Sequence, residues 1–379
     1  MFVDSVTLIV CAVLLVLAVL SVLFDTFFRK LSAGGLGGGG CDKRPVSVIV
    51  VADNNARELG SNLPAFLSQD YPEGYEVIVV VVKDEDGTGD VLKAFKGVPN
   101  LYTTFVPETS RYMSVRKLAV TLGVKAAKNE WVLLTDATCC PVSDKWIDCM
   151  SSYCGGNVNM VIGYGNYSDE AGFFKMFCRL HREYALLQEA CSGMAYGTAG
   201  NNLMFRKSMF MTGNGFQGNL KYLRGEYDFL VNKYAGQGNV AVALSHDGYI
   251  VEKAPSRKEW HNRNLFYVET RRHLSHSLKH RLRFNLDMFF LYSCLLCGMG
   301  VAVFAAIAAY WAVLVVSCVS VVAPLLQRTF NAKRAMSTFL PGMPLWKVVP
   351  FELCLVWHNL RYAFAYVFSN KYDFISHKS

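Results

Sequence analysis

The sequence predicts an α/β fold, a Rossmann-like mixed sheet with transmembrane helices at both ends, and three observations predict it. Apolar runs lead directly into acids and amides at three places: Val46–Val51 before Asp53, Asn54 and Asn55, Glu76–Val82 before Asp84, Glu85 and Asp86, and Glu130–Thr135 before Asp136. Strands apolar on both faces belong to a parallel sheet covered by helices, and ligands of such sheets collect beyond the carboxyl ends of the strands. Helical patterns separate the runs at Ala56–Ser68, Gly89–Lys96 and Ser114–Lys128, which makes a βαβ series. Finally, Ser5–Phe24 and Met288–Leu326 carry no charged residue. The first suits one membrane crossing and the second two.

Taken in order, Ser5–Phe24 reads as a membrane anchor rather than a cleaved signal peptide, because Asp4 and no basic residue precede it. Ser32–Gly40 is a glycine-rich linker within 25–44, and a globular domain spans 45–255. Gly172–Ala190 has the pattern of an amphipathic helix whose Lys175, Arg179 and Arg182 face away from its apolar side. Residues 256–285 form a basic membrane-proximal segment, and 286–326 hold the paired spans. Within 327–379, Lys347, Glu352, His358 and Arg361 interrupt the apolar run, so an interfacial or re-entrant segment is expected there rather than a fourth crossing.

The formal charge of +8 is concentrated beside the spans. Arg29 and Lys30 follow the first, Lys279, Arg281 and Arg283 precede the second, and Arg328, Lys333 and Arg334 follow the third. Positive flanks on one side place the globular domain in the cytoplasm of an integral protein of the plasma (inner) membrane. Contact with membrane lipids explains the basic residues, and nucleic acid is excluded as a partner. The 12 cysteines include no pair of CxxC motifs in the globular part, so they are expected to be reduced.

Five blocks carry the candidate chemistry: PVSVIVVADNN with LSQDYP, EVIVVVVKDEDGTGD, KLAVTLGVKAAKNEWVLLTDATCCP, GTAGNNLMFRKSMF with LRGEYDFLVNKYA, and KEWHNRNLFYVETRRHL. Together they resemble a membrane-anchored family 2 glycosyltransferase of GT-A fold over roughly Pro45–Leu274. The resemblance implies a nucleotide site formed by Ala52, Asp53, Asp84, Asp86, Lys117 and Asp136, with Asp86, or next Asp84, reading the base. Asp136 would be the first carboxylate of a D-x-D motif and a metal ligand. Thr138 stands where the second belongs and is a poor ligand for a hard cation, so Mg or Mn is left in doubt. Gly200, Asn201, Asn202, Trp260, Glu269, Arg271 and His273 would line the acceptor side.

An inverting transfer needs a carboxylate base. At the family's usual base position this sequence has Tyr227, which leaves Asp228 first and Glu226 second. Arg272, with Arg271 beside it, would support the leaving diphosphate. The resemblance thus implies transfer of a sugar from a nucleoside diphosphate sugar, UDP-linked in preference, to a lipid-linked or glycan acceptor. A homo-oligomer or a glycan-assembly complex is left open. Thr138, Tyr227 and Glu269 depart from the family pattern and keep a rival open, a degenerate fold serving as a binding or scaffold subunit.

Overall fold

The computed structural model describes residues 5–31, 43–107, 114–275 and 277–375; the expected Ser32–Gly40 linker lies outside them. The chain divides into two compact units, Met1–Lys30 with His276–Leu360, and Leu31–Ser275 with Arg361–Ser379.

Helix α1 (Ser5–Leu23) precedes the sheet-bearing unit. That unit runs β1 (Val46–Asp53), α2 (Ala56–Leu67), β2 (Tyr75–Lys83), α3 (Thr88–Ala94), β3 (Leu101–Phe105), α4 (Val115–Ala126), β4 (Trp131–Asp136), β5 (Cys139–Pro141) and α5 (Trp146–Ser151). It continues through β6 (Met160–Gly163), β7 (Gly165–Tyr167), α6 (Phe173–Cys191), β8 (Leu203–Arg206), α7 (Lys207–Thr212), α8 (Glu226–Tyr234), β9 (Val240–Ala243), β10 (Ile250–Glu252) and α9 (Arg257–Arg271).

The main sheet has the order β3-β2-β1-β4-β8-β6-β9. Strands β3, β2, β1 and β4 are parallel, and β8 enters antiparallel to both β4 and β6. Burial on both faces explains the uninterrupted apolar strands. Val48 and Val50 join Leu59, Leu63, Phe66 and Trp146 in one core cluster. On the opposite face Ile49 meets α4 at Gly123, where an added Cβ would stand 2.7 Å from Ile49 Cγ2. That glycine lets the helix pack directly on β1.

Register decides what the sheet presents. Val51 pairs with Asp136, so β1 and β4 end together and Asp53 projects from the same edge. Because β8 is antiparallel and pairs Leu203 with Leu134, the loop before it, Gly200–Asn202, returns to that edge. A small sheet, β5-β10-β7, pairs Glu252 with Cys139 and thereby sets Glu252 beside Thr138.

The other unit contains α1, α10 (Ser277–Ile307), α11 (Trp311–Phe339) and the part of α12 (Val348–Val367) up to Leu360. Three of its helices, α1, α10 and α11, are long and apolar enough to cross a membrane. Leu8, Ile9, Phe304 and Val315 are exposed on them, as side chains facing lipid would be. Gly298 permits close packing of α10 on α11: an added Cβ there would lie 2.4 Å from Val321 Cγ2. The helices extend beyond the expected Met288–Leu326, since an ionic residue does not end a helix whose backbone bonds continue.

Arg328, expected as a basic flank, is fully buried instead. Its guanidinium pairs with Asp287 and Glu352, each at 2.8 Å, stands 3.7 Å from Asp25, and donates to the Ser21 carbonyl at 2.7 Å. Thr26 and Asn331 donate to the remaining oxygens of Asp287 and Asp25.

Candidate active site

A cleft of about 350 Å³ opens at the carboxyl edge of the main sheet. Asp53 and Asp136 reach it from β1 and β4, and Gly200 and Asn201 from the loop before β8. The first turn of α4 supplies Arg116, and the first turn of α8 supplies Glu226, Tyr227 and Asp228. Gly225 makes that last placement feasible. Its φ of +87° is left-handed, and an added Cβ would come within 2.6 Å of Thr270.

Asp136 is held by three donors. Arg116 Nη2 lies 2.7 Å and the Tyr227 hydroxyl 3.2 Å from Oδ1, while Asn201 Nδ2 lies 3.1 Å from Oδ2. Burial raises its carboxyl above the usual range, and Arg116 pulls it back. The Nε of the same guanidinium bonds Glu226. Burial opposes the charge on Glu226, but Arg116 and then Arg224 outweigh it and hold the carboxyl below its ordinary value. Glu226 is therefore a fixed anion that orients Arg116.

Asp228 differs, although it is two residues along the same turn. Its Oδ1 accepts the Thr198 backbone N–H at 3.1 Å, and among the described residues its Oδ2 carries no hydrogen bond. Burial pushes its carboxyl up to about 6, against the opposing influence of Arg271 and of the Thr198 bond. Behind it, the Thr198 hydroxyl donates to Glu183 at 3.3 Å, and burial raises that fully buried acid to about 7. Asp228 thus has a fixed orientation, an open oxygen and a proton affinity close to neutrality, the properties a general base needs.

Across the cleft, Glu252 is 1% exposed and bonded by Arg179 and by Arg263, the latter at 2.6 Å. The Arg179 guanidinium lies 4.4 Å over the Tyr167 ring, and its Nε and Nη2 have no hydrogen-bond acceptor among the described residues. Arg182 stacks 3.3 Å from the centre of Tyr267, which meets Arg271 at 3.9 Å on a second contact. Helix α6 therefore turns Arg179 and Arg182 toward the cleft, not away from the core as its pattern suggested.

The model of glycosyl transferase family 21 matches residues 43–367. The chain belongs to glycosyl transferase family 21. This family is distinct from the family 2 that the motifs resemble, and what carries over is the GT-A-like fold of a glycosyltransferase. Among solved structures, the mannosyltransferase PcManGT from Pyrobaculum calidifontis, in complex with GDP-Man and Mn2+, is similar at 17% identity and a TM-score of 0.53, over 93% of this chain and 98% of that one. The S. aureus protein TarS, residues 1–349 with UDP-GlcNAc, is similar at 13% identity and a TM-score of 0.41, over 79% of this chain and 98% of that one. No curated relative matches.

For this family 21 chain, the D-x-D resemblance raised the question of a divalent cation on Asp136. The donor set does not make such a site. Both Asp136 oxygens already serve Arg116, Tyr227 and Asn201, and Thr138 is a neutral hydroxyl 3.5 Å from Glu252 Oε1. Among the described residues no cluster of three His, Cys, Asp or Glu side chains is arranged to hold a metal.

Several expected site residues have other tasks. Lys117, expected to face the nucleotide, is fully buried and donates to the carbonyls of Asn219 at 2.9 Å, of Tyr222, and of Arg224 at 3.5 Å. It organises the loop leading into α8, because residues adjacent on a helix point about 100° apart and Arg116 takes the direction of the cleft. Asp86 lies in an exposed loop outside the cleft lining, where it accepts from Ala56 N at 2.7 Å and from the Thr88 hydroxyl at 2.6 Å. Asp84 in the same loop accepts from Gly89 N at 2.7 Å. Ala52 is a buried strand residue.

On the acceptor side, Gly200 and Asn201 line the cleft, whereas Asn202 is fully buried. Its amide bridges the Tyr164 and Gly248 carbonyls and accepts from the Trp146 indole. Glu269 is bonded to Tyr366 and to His273 at 3.0 Å, and His273 reaches Tyr222 at 3.0 Å, so these linked bonds brace the loop before α8. Arg272 lies 5.4 Å over the Tyr366 ring outside the cleft lining, while Trp260 packs edge-on to Tyr167. Arg116, Arg179, Glu252 and Arg263 were not singled out from the sequence as site residues. No sequence pattern marks them, because their roles follow from helix rotation and from ion pairs between separate segments of the chain.

Proposed function

We propose that this glycosyltransferase moves a sugar from a nucleoside diphosphate sugar to an acceptor hydroxyl with inversion, in a single displacement, with Asp228 as the base. The observation that carries this reading is the open Oδ2 of Asp228 in the cleft at the sheet edge, on a carboxyl raised to about 6. The acceptor oxygen bonds to the anomeric carbon as the bond from that carbon to the diphosphate oxygen breaks. The electron pair leaves with the diphosphate, and the hydroxyl proton passes to Asp228.

Asn201 and Gly200 line the acceptor side of this reading, and Asp53 the nucleotide side. UDP is the nucleotide expected from the motifs, and the mannosyltransferase neighbour holds a GDP-sugar. The acceptor is lipid-linked or a growing glycan, in keeping with three helices apolar enough to span a membrane. The basic flanks at Arg29, Lys30, Lys279 and Arg281 support a cytoplasmic catalytic unit on the plasma (inner) membrane.

The test is titration of UDP, GDP and CDP into the detergent-purified chain, followed by release of the diphosphate from the matching donor sugars. Selective binding with turnover supports the reading. A chain that binds none of the three returns to the scaffold alternative.

A further inference from the structure

The geometry points to a donor site that works without a divalent cation: guanidinium groups, Arg116 beside Asp136 and Arg179 beside Glu252, hold the diphosphate and meet its developing charge. The inference rests on the reading of the cleft as a nucleoside diphosphate sugar site.

Three observations converge on it. First, the position where a second carboxylate would complete a cation site is Thr138, whose hydroxyl is turned toward Glu252 at 3.5 Å. Second, the first carboxylate already has a positive partner. Arg116 is clamped between Asp136 and Glu226, and although burial opposes its charge, those two acids keep it protonated. A guanidinium in this place presents a fixed positive charge to the cleft and competes with any cation for Asp136.

Third, two donors of Arg179 are left without an acceptor by the described residues. Its side chain is 4% exposed and lines the cleft, yet Nε and Nη2 have no acceptor among the described residues. A buried donor without an acceptor carries a desolvation penalty that an anionic ligand relieves. Diphosphate oxygens match it well, because guanidinium presents paired N–H groups to phosphate in a planar fork. As the glycosidic bond breaks, charge grows on the diphosphate, and preorganised donors placed there stabilise it without a metal.

The experiment is calorimetric titration of UDP and GDP into the full-length chain in detergent, once with EDTA and once with Mn2+. The dissociation constant is expected to agree within about twofold between the two conditions. Arg116→Gln alone strands Glu226, so the variant used is Arg116→Gln/Glu226→Gln, checked for an unchanged melting temperature. Its metal-free affinity is expected to fall at least tenfold. A second variant, Arg116→Gln/Glu226→Gln/Thr138→Asp, frees Asp136 without stranding Glu226 and adds a carboxylate, and its binding is expected to require Mn2+. Wild-type binding at least tenfold weaker in EDTA overturns the inference while the donor-site reading stands. Metal-free binding unaffected by loss of Arg116 also overturns it. Absence of nucleotide binding under every condition overturns both.

Discussion

Replacing Asp228 by Asn tests the role as base proposed for it apart from its structural one. The amide keeps the Oδ1 that accepts the Thr198 N–H and removes the charge. In the folded chain this carboxyl is raised from 3.8 to about 6 by burial, so between those values the folded state binds more protons than the unfolded one. The stability Asp228 contributes is complete below pH about 4 and is lost as pH rises through about 6. At pH 7.5 an ionised group so displaced costs at most about 3 kcal/mol, and partial exposure of the side chain reduces this to about 1–2 kcal/mol. Asp228→Asn is therefore expected to melt a few degrees higher at pH 7.5, with the gain vanishing near pH 4. Turnover should fall by about 10²–10⁴-fold, the usual contribution of a general base, with UDP or GDP affinity unchanged. The assays are differential scanning fluorimetry across pH and diphosphate release from the donor sugar. Wild-type kcat should rise with pH through about 6 as Asp228 ionises. A variant that retains more than a tenth of wild-type turnover, or that melts lower than wild type at pH 7.5, refutes the assignment.

Other side chains give independent tests. Lys117→Met removes the ammonium that holds the Asn219 and Tyr222 carbonyls, and should cost about 3 kcal/mol in urea unfolding of the purified protein together with loss of turnover. Gly123→Ala places a methyl 2.7 Å from Ile49 Cγ2 and should destabilise by about 1–3 kcal/mol in the same measurement. Arg328→Leu leaves Asp25, Asp287 and Glu352 buried without their cation and should cost about 3–5 kcal/mol, read as a lower melting temperature and poor recovery in detergent. Trp357 is 66% exposed on α12, and if that helix lies along the interface its fluorescence should be quenched by lipids brominated near the headgroup more than at the chain end, an effect lost in Trp357→Phe.

The strands were legible because burial on two faces leaves a signal that needs no partner to interpret. Val46–Val51, Glu76–Val82 and Glu130–Thr135 became β1, β2 and β4, and the acids after them marked the carboxyl edge. Asp53, Asp136, Asn201 and Asp228 could be found in the same way, each at or next to the end of an element that reaches that edge. What was not legible depends on rotation about helices and on ion pairing across the chain. Lys117 and Arg116 are adjacent, and the sequence alone does not say which of them faces inward. Arg179 looked like the solvated face of α6, because its partner Glu252 lies on β10 and only the small sheet brings them together. Arg328 looked like a membrane flank for the same reason: its three acids come from separate places along the chain.

Glu226 and Asp228 show how surroundings assign roles to like groups. Both sit in the first turn of α8, and the positive end of a helix favours ionised acids at each position. Arg116 fixes Glu226 as a permanent anion, whereas Asp228, with one backbone bond and Arg271 opposing its burial, stays near neutrality in its proton affinity. Such a divergence between neighbouring carboxyls separates a structural acid from a proton acceptor. Tyr227 between them is no rival for the base. Burial and then the charge of Asp136 push its phenol well above its ordinary value, so it remains a fixed donor to Asp136 at 3.2 Å. The departure from the motif at this position therefore does not by itself imply a dead site: the hydroxyl has joined the set that holds Asp136, and the carboxylate one residue further along the helix is the one left open in the cleft.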